Sequence, residues 1–161
     1  MHMIPTVSTK LKKNVKGQAL LELALTLPIF LVLLIGVFEV SRLIFFYSSI
    51  FTASREAARY AVGSGTNASG TIYYRDCDGI RARAVQTGLG ANIEAGDVLI
   101  SYDHGPDSNG EVTSIGGCPI GPDLQLGDRV TITVTKTFNP IVPLVQLRTI
   151  PITSMSSRTV L

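Results

Sequence analysis

The sequence predicts an α+β protein in which a long N-terminal helix is followed by a small head of one short helix and about three antiparallel strands. Two observations carry this prediction. Residues 23–38 are apolar and uncharged, and helical spacing of apolar residues continues beyond them. Residues 128–138 instead alternate valine or isoleucine with threonine, the period of a half-buried strand.

The long helix is predicted over residues 18–62, because no firm stop signal occurs before Gly63. Pro28 lies inside this stretch and predicts a kink. A helix of this length would extend about 67 Å, more than twice the thickness of a bilayer core. We therefore expect its second half to leave the membrane and to pack on the head.

The second half of this helix carries an apolar stripe that predicts the surface facing the head. Small residues towards its end would allow a sheet or a second helix to approach closely. The predicted stripe consists of Val40, Leu43, Ile44, Tyr47, Ile50, Phe51, Ser54, Ala57, Ala58 and Ala61.

The elements of the head follow a glycine-rich turn over residues 63–70. A short helix is predicted over residues 77–89, capped by Asp76 or Asp78. Its expected buried side is formed by Ile80, Ala84, Val85 and Leu89. Strands are predicted over 97–102, 128–138 and 149–161, with Pro151 marking a bulge or a sheet edge. The polar segment 104–126 is predicted to be a loop.

The apolar run admits three interpretations, and a membrane helix fits best. A secretory signal peptide should be followed by a small-x-small cleavage site, and the sequence after Gly36 offers a poor one. A buried core helix disagrees with the all-round apolar character and with the preceding lysines. Four lysines precede the run and only Arg42 follows it closely, so the positive-inside rule places the N-terminus in the cytoplasm.

This topology puts the head outside the cytoplasm, where a cysteine pair favours a disulfide. Cys77 and Cys118 are the only cysteines, and neither lies in a C-x-x-C motif. Closing their loop would stabilise the fold by about 4 kcal/mol. Two free buried thiols are the alternative.

The sequence predicts neither an enzyme nor a cofactor. No nucleophile motif surrounds His2 or His104, and no basic patch suited to nucleic acid occurs. The segment Asp107–Glu111 offers oxygen ligands but lacks a calcium loop's distal glutamate, so a solvated turn and no metal site is expected. Asn67 begins a formal glycosylation sequon in a loop where one arises easily by chance.

A processing motif precedes the apolar run. Gly17 follows a lysine-rich leader, and Glu22 stands five residues after it. With the segments 17–28 and 54–61, this pattern resembles the TadE-like pseudopilins of tight-adherence pilus systems, which are related to type IV pilins. The resemblance covers about residues 15–62; the strand segments around 127–134 and 149–154 also look similar, more weakly.

The resemblance implies a division into a leader at 1–17, a transmembrane and assembly helix at 18–46, and an extracytoplasmic head at 47–161. A prepilin peptidase would cleave after Gly17, and Gln18 would become the mature N-terminus. Many type IV pilins place phenylalanine there, a difference that the tight-adherence branch tolerates.

Glu22 can be given a role from physical chemistry alone. The ammonium created at Gln18 would be costly in an apolar setting, and a nearby carboxylate can neutralise that of a neighbouring subunit. Glu22 would then fix the axial register of assembly, as a buried polar residue does in a coiled coil. Alternatively, Glu22 only complements the positive N-terminus of its own helix.

Three functions are compatible with these sequence features. The first is a pilin or minor pseudopilin that leaves the membrane and joins an extracellular pilus. The second is an uncleaved single-pass accessory protein for pilus assembly or secretion. The third, an exported enzyme or binding domain on an anchor, lacks any catalytic motif. The implied partners are other copies or related pilins, the peptidase, the inner-membrane assembly machinery and, before assembly, the lipid bilayer, but not nucleic acid.

Overall fold

The computed structural model describes residues 15–119, 124–141 and 149–160. Most of the predicted leader lies outside these ranges. The chain divides into two structural units, Met1–Phe38 and Glu39–Leu161. The predicted α+β class is confirmed, with a sheet of four strands instead of about three.

Helix α1 spans Val15–Ala61 and contains Pro28, so the predicted long helix is present. Helix α2 spans Cys77–Thr87 and is capped by Asp76, whose side chain accepts a hydrogen bond from the backbone N–H of Gly79. A short 3₁₀ turn, Tyr73–Arg75, lies between the two helices, and two more, Leu89–Ala91 and Ala95–Asp97, connect α2 to the sheet.

The sheet is antiparallel and has the order β2-β1-β3-β4. Its strands are β1 (Val98–Pro106), β2 (Val112–Gly117), β3 (Arg129–Phe138) and β4 (Ile150–Thr159). Strand β4 is an edge strand, as Pro151 suggested, and Pro151 pairs with Thr137 within an unbroken register.

Strand β2 corrects the prediction that residues 104–126 form a loop. It pairs with β1 through an irregular register, and all of its side chains except the half-buried Ile115 are exposed. Since an edge strand with both faces in solvent needs no apolar alternation, its sequence carried no strand signal.

The core lies between the second half of α1 and one face of the sheet. Alternate residues of the central strands, among them Ile100, Tyr102, Ile132 and Val134, are buried there. Along α1 the buried residues are Ile50, Ala53, Ser54, Ala57, Ala58 and Ala61. The small side chains let helix and sheet approach closely, as predicted.

The prediction was wrong for several residues in the N-terminal part of the stripe. Val40, Ile44, Tyr47 and Phe51 are exposed, whereas Phe46, which was not predicted, packs against the core with Leu43. The inward positions follow a spacing of three and four residues from Leu43 to Ala61. The exposed residues lie on a different face of α1. Because residues on both faces are apolar, the sequence pattern did not distinguish the two faces.

Helix α2 buries Ile80 and Ala84 and half-buries Val85, as predicted. Leu89 was predicted to be buried and is 79% exposed. The reason is that α2 ends at Thr87, and Leu89 begins the next 3₁₀ turn instead of continuing the helical face.

Candidate membrane and assembly segment

The first unit contains the charge-free stretch of α1. All residues from 17 to 38 are exposed, including leucines, isoleucines and two phenylalanines. Within the described residues, Gly17–Ala61 is the one helix long and apolar enough to cross a membrane, judged by length and composition. An apolar surface of this size needs lipid or protein to cover it in an aqueous environment.

The predicted processing and register residues lie together in the first turns of α1. Gln18 Nε2 is 3.5 Å from Glu22 Oε1, at the limit of a hydrogen bond, because residues four apart share a helix face. The backbone carbonyl of Glu22 accepts a hydrogen bond from Thr26 Oγ1 at 2.9 Å. Glu22 is exposed.

Gly17 and Gly36 have the same steric environment. A Cβ atom added at either position would meet nothing within 4 Å. Neither glycine is therefore required for packing within this chain. If glycine were required at position 17 but not at position 36, this would indicate a partner that recognises Gly17.

Glu39 and Arg42 mark the end of the charge-free stretch, and the structure pairs them. Arg42 Nη1 lies 2.9 Å from Glu39 Oε1, and the same carboxylate oxygen accepts a hydrogen bond from the backbone N–H of Ile141 at 3.0 Å. The guanidinium of Arg42 also covers the ring of Phe138, 5.1 Å from its centroid. The sequence analysis used Arg42 only as the basic residue that closely follows the apolar run, and the contact of these two charges with the head was missed.

The head is closed by the predicted disulfide. Cys77 and Cys118 are bonded, with their Cα atoms 5.9 Å apart, which joins the start of α2 to the residue after β2. The Tyr102 hydroxyl lies 3.2 Å from Cys118 Sγ and donates to the backbone carbonyl of Tyr74 at 2.5 Å. Burial raises the pKa of Tyr102 to about 12.

Asp76 connects three parts of the head. Its carboxylate accepts hydrogen bonds from Tyr60 on α1 at 2.7 Å, from Asn67 in the turn at 2.8 Å, and from the Gly79 N–H at 3.0 Å. Burial alone would raise the pKa of Asp76, but these hydrogen bonds outweigh it and lower the pKa. The bond to Asp76 also helps raise the pKa of Tyr60 to about 12.

The Asp76 network explains two sequence features. The side-chain amide of Asn67, the first residue of the formal sequon, is engaged at both polar atoms. Its Nδ2 donates to Asp76, and its Oδ1 accepts from the N–H groups of Ser69 and Thr71. Gly79 is required for packing, because a Cβ there would collide with Asp76 and with the Tyr60 hydroxyl. The sequence identified Asp76 as a cap but not as a connection to α1.

His104 and Asp128 form a contact that the sequence did not predict. His104 Nδ1 lies 2.7 Å from Asp128 Oδ1, and Asp128 Oδ2 accepts from the Gln125 N–H at 2.6 Å. This backbone bond is the main reason that the pKa of Asp128 is lowered. This contact fastens β1 to the turn before β3.

The segment Asp107–Glu111 forms the turn of the β1–β2 hairpin. Asp107 Oδ1 accepts from the backbone N–H groups of Asn109 and Glu111, each at 2.8 Å. Gly110 has a φ of +82°, a conformation that glycine adopts readily. Across the part of the chain that the structure describes, no group of three or more His, Cys, Asp or Glu residues could hold a metal ion.

The described residues form a helix long and apolar enough to cross a membrane and a disulfide-bonded α+β head. Residues 17–59 match the family model described as TadE-like protein. This match confirms the resemblance predicted from residues 15–62, and with the apolar helix it indicates a pilus-related membrane protein. A search of curated proteins and a search of solved structures gave no match.

Proposed function

We propose that this chain is a structural subunit, a pilin or minor pseudopilin, of a tight-adherence pilus. It is inserted into the inner membrane with its N-terminus in the cytoplasm, cleaved after Gly17 by a prepilin peptidase, and moved into an extracellular filament through residues 18–46. The observation that carries the proposal is the exposed, charge-free stretch 23–38, which lies within the TadE-like match.

The same surface serves before and after assembly. In the bilayer, lipid covers the apolar side chains; in a filament, the helices of neighbouring copies cover them. Glu22 is the one carboxylate between Gly17 and Glu39. It neutralises the new amino group of a neighbouring Gln18 and so fixes the axial register between copies.

The N-terminus of the mature chain tests cleavage. The full chain is expressed with its peptidase, and the membrane fraction is analysed by mass spectrometry. The proposal expects a chain that begins at Gln18, and it expects Gly17→Leu to block cleavage. Gly36→Leu is the matched control, because both glycines have open space around them. A chain that keeps its leader would favour the single-pass accessory protein instead.

The role of Glu22 requires a second experiment. Glu22→Gln preserves the shape of the side chain and removes its charge, so cleavage should continue while filament assembly fails. Thr26→Ala, one turn further along α1, is the control and should assemble. Normal filaments from Glu22→Gln would exclude the assigned role.

A further inference from the structure

A basic groove lies between α1 and the edge strand β4. It is a cavity of about 360 Å³ lined by Phe51, Thr52, Arg55, Glu56, Arg59 and Arg158. Glu56, its one carboxylate, is already engaged by Arg59 at 3.7 Å and by Arg83 at 3.8 Å. The guanidinium of Arg55 covers the ring of Phe51, 5.3 Å from its centroid. Among the described residues, the groove therefore holds three arginines and one carboxylate beside an exposed aromatic side chain.

A lipid surface does not fit this groove. A bilayer core of about 30 Å takes about 20 helical residues, so a span that begins at Glu22 ends near Arg42. Between Arg42 and Arg55 the helix rises by about 20 Å more. This distance exceeds the depth of the headgroup region. The groove thus lies in water and calls for a protein partner that carries negative charge.

The chain itself offers a complementary surface at the opposite edge of the sheet. Asp107 and Glu111 are exposed on the β1–β2 hairpin, and neither forms an ion pair with any described residue. Val112, 48% exposed, follows them and offers an apolar contact. The register places Asp103, Arg129 and Thr159 side by side, so the hairpin and Arg158 lie towards the same end of the strands.

We propose that the heads of neighbouring copies pack edge to edge, with the acidic β1–β2 hairpin of one copy seated in the α1/β4 arginine groove of the next. The two surfaces differ and lie on opposite sheet edges, so the contact is heterologous. A pair of copies joined in this way still has one free hairpin and one free groove. Such a contact repeats in one direction and suits an open assembly. The inference rests on the proposed filament function and adds a specific contact between heads to it.

Site-specific photocross-linking tests the contact in full-length chain in membranes and sheared filaments. Benzoylphenylalanine replaces the exposed Thr52, and cross-linked peptides are identified from a mixture of isotopically labelled and unlabelled copies. The expected product joins position 52 of one copy to residues 107–112 of another. The same probe at Met155, on the opposite sheet face and 68% exposed, should not give this product.

Charge reversal supplies the second readout. Arg158→Glu and Glu111→Arg should each lower the yield of the cross-link at least about tenfold, because like charges then face each other. The double variant should recover most of it. Recovery also separates a lost contact from a misfolded head.

The outcomes distinguish this inference from the proposed function. Cross-links to lipid, to a different protein, only within one copy, or to no partner would overturn the hairpin-in-groove contact. If filaments form and the mature chain begins at Gln18 in that case, the pilin function stands without it. If cleavage and assembly both fail but the hairpin cross-link is retained, the pilin function is excluded and the contact between heads stands.

Discussion

At the residue scale, the head depends on a few side chains that each join separate elements. Cys77 and Cys118 join α2 to the end of β2, and Asp76 joins α1, the following turn and α2. Arg129 and Thr131 donate to the buried Asp103 and fasten β1 to β3. Because these contacts link residues distant in sequence, their loss should affect the whole head.

Removing the disulfide should lower the free energy of unfolding by about 4 kcal/mol, since the unfolded chain regains the entropy of the closed loop. The Cys77→Ala/Cys118→Ala variant is compared with the native chain by urea denaturation in detergent. Reductant should destabilise the native chain by a similar amount and leave the variant unchanged. An equal effect of reductant on both would contradict the assignment.

Asp76 should contribute to stability above about pH 4. Its pKa is lowered in the folded head, so this contribution is present above the unfolded pKa of about 3.9 and is lost as the pH falls through the folded value. Asp76→Asn should therefore cost about 1 kcal/mol at pH 7 and less at pH 3, measured by urea denaturation.

Asp78→Asn is the matched control for Asp76, because Asp78 lies in the same first turn of α2 and its side chain is fully exposed. It should change stability little at either pH. Equal effects of the two substitutions would indicate that helix-terminus charge, and not the Asp76 network, accounts for the loss.

At the scale of elements, the contact between α1 and the sheet is built from small residues and one buried polar bond. Ser54 Oγ on α1 lies 2.9 Å from Ser154 Oγ on β4 and 3.0 Å from the carbonyl of Phe51. Both serines are buried. The pair sets the position of the helix on the edge strand because an unpaired buried hydroxyl is costly.

Ser54→Ala should lower the free energy of unfolding by about 1–3 kcal/mol, because it leaves the buried Ser154 hydroxyl without this partner. Ser154→Ala should cost less, about 1 kcal/mol, because the Ser54 hydroxyl keeps its hydrogen bond to the carbonyl of Phe51. The double variant should lose less than the sum, with a coupling of about 1 kcal/mol. Ser49→Ala is the control, since the Ser49 hydroxyl bonds to the Phe45 carbonyl within its own helix. Strict additivity of the two buried substitutions would contradict the contact.

At the scale of the whole molecule, charge distribution separates membrane and aqueous parts. Residues 23–38 carry no charge, whereas the head carries carboxylates and arginines on its surface, such as Glu56 with Arg59 and Arg83. Glu39 and Arg42 stand at the junction and neutralise each other. We therefore expect membrane insertion to depend on the charge-free residues 23–38.

A lysine placed in the middle of the apolar run should impair insertion. Leu31→Lys adds a charge at a central exposed position and should cost about 3 kcal/mol on a biological insertion scale. The measurement is the fraction of chain that resists carbonate extraction from membranes. Leu99→Lys, on the exposed face of the sheet, should extract like the native chain. Equal retention of both variants would contradict a membrane role for residues 23–38.

Much of the fold followed from the sequence because its signals are local. The uncharged run, the valine–threonine alternation of β3 and the Asp76 cap each depend on neighbouring residues. Strand β2 and the exposure of Ile44 and Phe51 did not follow. Both depend on which surfaces the sheet covers, and no local pattern records that.

The sequence by itself determined the apolar helix, the α+β class and the cysteine pair, since apolar periodicity and composition fix where a chain can be buried. The tertiary structure alone decided which helix face meets the sheet, how Glu39 contacts Ile141, and that Arg55 and Arg158 share one groove. Those contacts join residues far apart in the chain, and their geometry exists only once helix and sheet have packed.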